Sequence, residues 1–153
     1  MQQVSLKGSK LYFMHIQQLL GCFVLLSAAA MAQAPETFKT RLAPVAIDVG
    51  MRVNIAGLGT ATATLAGAKL TVNGTFEGLR TNATKANIHQ GAAAGVRGPV
   101  ILDLTVSNAL KGSIDGTFTL TPAQVERLKK GNWYIQIDSE KAPEGNLWGW
   151  LLK

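Results

Sequence analysis

His89, Asp138 and Asp103, with the closely spaced Trp148 and Trp150, are the residues through which this chain could do chemistry, and they are few. The sequence holds two histidines and one cysteine, and His15 and Cys22 both fall in the first 34 residues. If that stretch is removed, His89 is the only imidazole and no thiol remains. Cys-His pairs and double-histidine sites are then excluded, and any catalytic triad must use His89 as its base. No Gly-x-Ser-x-Gly elbow, His-Glu-x-x-His or phosphate loop occurs. Gly91 to Gly98 (GAAAGVRG) is glycine-rich but lacks the Lys-Ser or Lys-Thr ending of a phosphate loop, so it reads as a flexible loop.

Three readings of His89 stay open. It is a strand-end imidazole bonded to backbone, a copper or zinc ligand, or a hydrolytic base. A lone imidazole binds metal weakly, so the second reading needs a carboxylate, and Asp138 and Asp103 are the acidic residues placed in strand interiors. Trp148, Trp150 and Leu152 share one face of the last strand, and Leu147, Gly149 and Leu151 the other. One side is core. The other is either covered as core or a strand-end plug, or is an exposed aromatic platform for a sugar, peptide or protein.

The first 34 residues carry an address. Lys7 and Lys10 precede the apolar run Leu19 to Ala30, which is too short for a membrane span and has the length of a secretory h-region. Ala30-Met31-Ala32 and Ala32-Gln33-Ala34 are small-x-small patterns, so cleavage is expected after Ala32 or Ala34, with Met1 or Met14 as the start. Residues 1–34 are read as a signal peptide and residues 35–153 as one exported domain, periplasmic or secreted, with no membrane span after leader removal. Most of the apolar run follows Cys22, which argues against lipidation there. Losing Lys7 and Lys10 lowers the net charge from +6 to +4. The remaining basic residues are scattered, and nucleic acid is excluded as a partner.

The elements that must position these residues are short strands. Thr60, Thr62 and Thr64 alternate with Ala61, Ala63 and Leu65, and Leu70, Val72, Gly74 and Phe76 alternate with polar residues, with Ala66-Gly67-Ala68 as the turn of a hairpin. Further strand patterns run over 86–90, 99–106, 113–121, 133–138 and 146–152, separated by Gly, Asn or Pro. Phe38 to Ile55 is interrupted by Pro44 and Gly50 and predicts two edge or irregular strands. Trp133, Ile135 and Ile137 make a buried face and leave Tyr134, Gln136 and Asp138 on the other. One short helix interrupts the series near 122–130: Thr121 is its N-cap, Pro122 its first residue, Val125 and Leu128 its apolar side and Gly131 its stop.

The ordered set Gly59-Thr60-Ala61-Thr62, Ala86-Asn87-Ile88-His89, Gly98-Pro99-Val100, Leu120-Thr121-Pro122-Ala123-Gln124, Gly131-Asn132-Trp133-Tyr134-Ile135 and Pro143-Glu144-Gly145-Asn146-Leu147 resembles the chordin-type (CHRD) domain over about Phe38 to Lys153. The resemblance implies an all-β fold, an antiparallel immunoglobulin-like Greek-key sandwich, found in secreted and surface proteins. Where family members usually read Ala-His-Ile-His, this chain has Asn87 before His89, which weakens any paired-histidine metal site. Where they often carry a histidine after the Tyr-containing strand it has Asp138, and Trp148 replaces a charged position. In outline the chain is also similar to the copper and zinc superoxide dismutase sandwich, whose multi-histidine site cannot be drawn from His89 alone.

Together these readings give an exported, noncatalytic binding or structural module without a cofactor, meeting a protein or envelope partner. The candidate contacts are His89, Asn87, Asp138, Trp148 and Trp150. The alternative is a small periplasmic protein holding copper or zinc through His89.

Overall fold

Small and β-branched residues at every second position give β2 (Leu58–Ala66) and β3 (Lys69–Glu77) one apolar and one polar face each, and the two pair antiparallel from Leu58↔Glu77 to Ala66↔Lys69. Ala61, Ala63, Leu65, Leu70, Val72 and Phe76 point inward and are buried. Gly67 closes the hairpin at φ +61°, a conformation that costs glycine little. The computed structural model describes residues 34–45 and 48–153. Apart from Ala34, the expected leader lies outside them, as does its Cys22.

β1 (Glu36–Pro44) lies along β2, and β6 (Gly112–Thr119) along the far side of β3. β5 (Val100–Val106), β4 (Ala83–Gln90), β7 (Trp133–Ser139) and β8 (Ala142–Trp150) follow in space, all antiparallel. The order β1-β2-β3-β6-β5-β4-β7-β8 returns to β1, so eight strands form a closed barrel. Its interior is filled by Phe38, Leu42, Phe76, Ile88, Ile114, Trp133, Ile135, Ile137 and Leu147 among others.

The all-β, antiparallel expectation and the single helix hold, but the immunoglobulin-like sandwich of two separate layers is not what the strand pairing draws. Two seams close the ring. β5 meets β6 through Thr105↔Asp115 and Val106↔Ile114, and β1 meets β8 through Ala43↔Trp148 and Pro44↔Leu147. Each seam is only two residue pairs long, and alternation along a strand says nothing of whether its end finds a partner. A second correction concerns Phe38 to Ile55. Its described residues complete one strand that begins before it, Glu36–Pro44, and make a 3-10 turn at Gly50–Val53, in place of two irregular strands.

The helix α1 (Pro122–Lys129) is built as its sequence requires. Thr121 Oγ1 accepts from the Gln124 amide at 3.3 Å, and Gln124 Oε1 accepts from the Thr121 amide at 2.8 Å, a reciprocal cap. Leu128 is its buried anchor, and Gly131 turns the chain at φ +71° into β7. Lys129 and Lys153 both reach the Glu36 carboxylate, Lys129 at 2.6 Å, and hold that carboxyl below its ordinary range.

Candidate functional site

A strand on a barrel wall normally buries one face, yet all seven residues of β7 are buried. Trp133, Ile135 and Ile137 belong to the core. Tyr134, Gln136 and Asp138 point outward and need another cover. Register puts them beside His89, Asn87 and Lys85 of β4 on one side, and sets Tyr134 against Trp150 and Gln136 against Trp148 of β8 on the other. These three strands make a polar and aromatic sheet face outside the barrel.

The cover is the glycine-rich loop 91–99. Its ends are brought together by Gln90 N–H donating to Pro99 O at 3.0 Å, and Gly91 N–H donates to Asn132 O at 2.8 Å. Gly98 fastens the loop to the sheet: its N–H donates to Tyr134 Oη at 3.2 Å, and its carbonyl oxygen lies 3.2 Å from Tyr134 Oη and 3.0 Å from His89 Nδ1. No side chain fits at Gly98, because a Cβ would stand 1.8 Å from Gln90 O. The adjacent Arg97 lays its guanidinium 4.4 Å from the centre of the Trp148 ring and donates to Glu144 O at 3.3 Å.

Under the loop the rings are stacked. His89 and Tyr134 lie 4.8 Å apart between centroids, Tyr134 and Trp148 5.5 Å at nearly parallel planes, and Trp150 tilts onto Tyr134 at 4.6 Å. Trp148 is 7% exposed but does not belong to the core cluster; Leu147 and Leu151 do. Of the two readings for Trp148 the structure shows the covered one: it is buried, on the outside of the barrel beneath Arg97, and is not an open platform. Gly145 makes room for it, since a Cβ there would come within 2.1 Å of Trp148 Nε1.

Among the described residues, the buried side-chain polar atoms that lack a partner all lie here. His89 Nε2, Gln136 Oε1 and Trp148 Nε1 are buried side-chain atoms without a hydrogen-bond partner, and all three belong to this face. Gln136 Nε2 donates to Asp138 Oδ1 at 2.7 Å. Burial pushes the Asp138 carboxyl up from its ordinary value, opposed by the Gln136 hydrogen bond and by the charges of Lys85 and Arg97 and the His89 ring. A hollow of about 480 Å³ opens among Lys85, His89, Arg97, Gln136, Asp138 and Glu144. A second of the same volume lies by Leu58, Thr75 and Lys111, but none of the unpartnered atoms lines it.

The structure thus brings together His89, Asn87, Asp138, Trp148 and Trp150, all named from the sequence, on one face. Asn87 donates to Asp103 Oδ1 at 2.6 Å, and Asp103 is not among the residues lining the hollow beside His89. Among the described residues no three His, Cys, Asp or Glu side chains gather into a metal-holding group. No helix there is long and apolar enough to cross a membrane. Tyr134, Gln136 and Arg97 were not singled out by sequence reasoning. The signal that points to them is the Tyr-Gln-Asp side of β7, which carries no Lys, Arg or Glu although it reads as solvent-facing.

The CHRD domain family model matches residues 39–151 of the 153, well over half of the chain. The chain belongs to the CHRD domain family. No curated protein and no solved structure matches it. The match begins within β1 and ends just past β8, so the CHRD domain and the barrel are coextensive. Both the sheet face and the loop across it lie inside the CHRD domain.

Proposed function

We propose that this CHRD domain is an exported, noncatalytic binding module and that the outer face of β4, β7 and β8, with loop 91–99, is its contact surface for a protein or envelope partner. The observation carrying this reading is the concentration of all three unpartnered buried polar atoms on that face. Satisfied networks are the rule inside proteins, so a local deficit marks a place built to meet another molecule. The residue inventory supports the noncatalytic part: His89 stacks on Tyr134, and among the described residues no Ser or Thr hydroxyl bonds to it as a nucleophile would.

Photo-crosslinking from position 144, at the rim of the hollow, tests the surface, with position 117 on the exposed face of β6 as control. Crosslinks to a partner from 144 and not from 117 support the reading. Equal yields from both overturn it.

One observation favours the second reading, a copper or zinc protein using His89. Its Nδ1 is turned to the Gly98 carbonyl, which leaves Nε2 without a hydrogen-bond partner on the residue that lines the hollow with Asp138. Metal retained through dialysis by the wild type and lost in His89→Ala supports this alternative.

A further inference from the structure

The outer face is closed as it stands. His89 Nε2, Gln136 Oε1 and Trp148 Nε1 are buried atoms on residues no more than 8% exposed, so another molecule meets none of them without a rearrangement. Tyr134, the ring between His89 and Trp148 in the stack, is fully buried as well. Loop 91–99 touches all three rings. The Gly98 carbonyl oxygen sits at His89 and Tyr134, and the Arg97 guanidinium lies over Trp148.

That loop is held in a way the barrel strands are not. Residues 92–97 and Pro99 are exposed and Gly98 has no side chain, so none of the loop's side chains is buried. Its attachment to the sheet is polar: Gly98 meets Tyr134 and His89, Arg97 meets Trp148 and Glu144 O, and Asn132 Nδ2 donates to Ala92 O at 3.3 Å. A segment with little apolar burial and solvent-facing hydrogen bonds opens at a small fraction of the global unfolding free energy. The tip also carries a bond of its own, Val96 N–H to Ala93 O at 3.1 Å, which lets it move as one piece.

Resting on the reading of this face as a contact surface, we infer that loop 91–99 is a displaceable cover. At rest it occupies the partner's place, and the partner binds the form in which residues 92–98 have swung away from His89, Tyr134 and Trp148. The polar deficit then has a purpose: His89 Nε2 and Trp148 Nε1 go without partners under the loop, and water or the partner supplies them once it lifts. Affinity for the partner scales with the fraction of molecules whose cover is open, so loosening the loop strengthens binding without adding a contact.

The test is acylation of the His89 imidazole by diethyl pyrocarbonate at neutral pH in the full chain. His15 and His89 are the chain's two histidines, and peptide mass spectrometry separates them. Wild type, Arg97→Ala and Asn132→Ala are compared, with N-acetylhistidine as the uncovered reference. Asn132 precedes β7 and carries no charge, so its replacement frees Ala92 O without altering the charge of the contact face. Wild-type His89 is expected to react at least about tenfold more slowly than N-acetylhistidine. Each variant is expected to react about two- to tenfold faster than the wild type, the worth of one hydrogen bond or cation–π contact. Arg97 is exposed, so Arg97→Ala leaves the barrel intact whatever Asn132→Ala costs, and thermal melts check both. Photo-crosslinking from position 144 is expected to rise in Asn132→Ala by the same factor as acylation. The inference is overturned if wild-type His89 reacts as fast as N-acetylhistidine, or if a variant that melts as the wild type does reacts no faster. It is equally overturned if acylation quickens while crosslinking from position 144 stays level. Faster acylation with no crosslinks from any of the three proteins defeats the contact surface and leaves the cover standing.

Discussion

Nδ1 of His89 stands 3.0 Å from the carbonyl oxygen of Gly98, a residue nine positions along the chain on the far side of the covering loop. That contact fixes the tautomer of the imidazole and ties the loop to β4 in one step. With the two Tyr134 contacts to the same glycine, it makes Gly98 the residue on which the cover of the outer face depends.

Gly98→Ala is expected to lift the loop, because its Cβ would collide with the backbone at Gln90 and not with a side chain able to move aside. A loss of about 1–3 kcal/mol in urea melts is expected, with faster proteolysis confined to 91–99. Unchanged stability and cleavage would show that the loop is held by other contacts.

Tyr134→Phe keeps the ring stack and removes the hydroxyl that meets Gly98 N–H and O. The expected cost is about 1–2 kcal/mol, most of it from leaving a half-buried N–H without its partner. Denaturant melts measure it. A neutral result would mean that water replaces the hydroxyl at no cost.

Asp138 sets a pH dependence of definite sign. Its carboxyl is raised above the ordinary value of 3.8 by burial, so the folded chain holds that proton to higher pH than the unfolded chain does. The associated stability is fully present below the unfolded value and is lost as pH rises through the folded one. Asp138→Asn removes this contribution. Against the variant, the wild type is expected to gain stability on acidification from about pH 7 to about pH 4, and parallel stability curves over that range would refute it.

Trp133 and Trp148 should separate core from cover. Trp133 is fully buried in the barrel with its indole N–H donating to Gln90 Oε1 at 3.1 Å, so Trp133→Ala is expected to cost about 3–5 kcal/mol. Trp148→Ala removes an outer-face ring that Arg97 covers, and is expected to leave the barrel folded while abolishing partner crosslinks from position 144. Equal destabilisation of both variants, by calorimetric melting, would place Trp148 among the residues that hold the fold.

What was legible in the sequence was what local chemistry decides. Alternation marked β2 and β3, Gly67 marked their turn, and Thr121, Pro122 and Gly131 marked both ends of the helix, because each depends on neighbours a few residues away. Closure into a barrel was not legible: it rests on two residue pairs at each seam, set by twist and register across the whole sheet. The site was half legible. His89, Asn87, Asp138, Trp148 and Trp150 could be named as chemically able, but GAAAGVRG gives no local sign of where it folds back, so the cover over Tyr134 and Gln136 stayed hidden.

Lys39 of the first strand exchanges backbone hydrogen bonds with Leu152, and Glu36 meets the side chain of Lys153, so the polypeptide enters and leaves this domain at the same corner. A unit with both joints at one corner can be spliced into the loop of a larger host without stretching it. Strung in tandem, such units would hang from a common spine, each with its β4–β7–β8 wall turned to its surroundings.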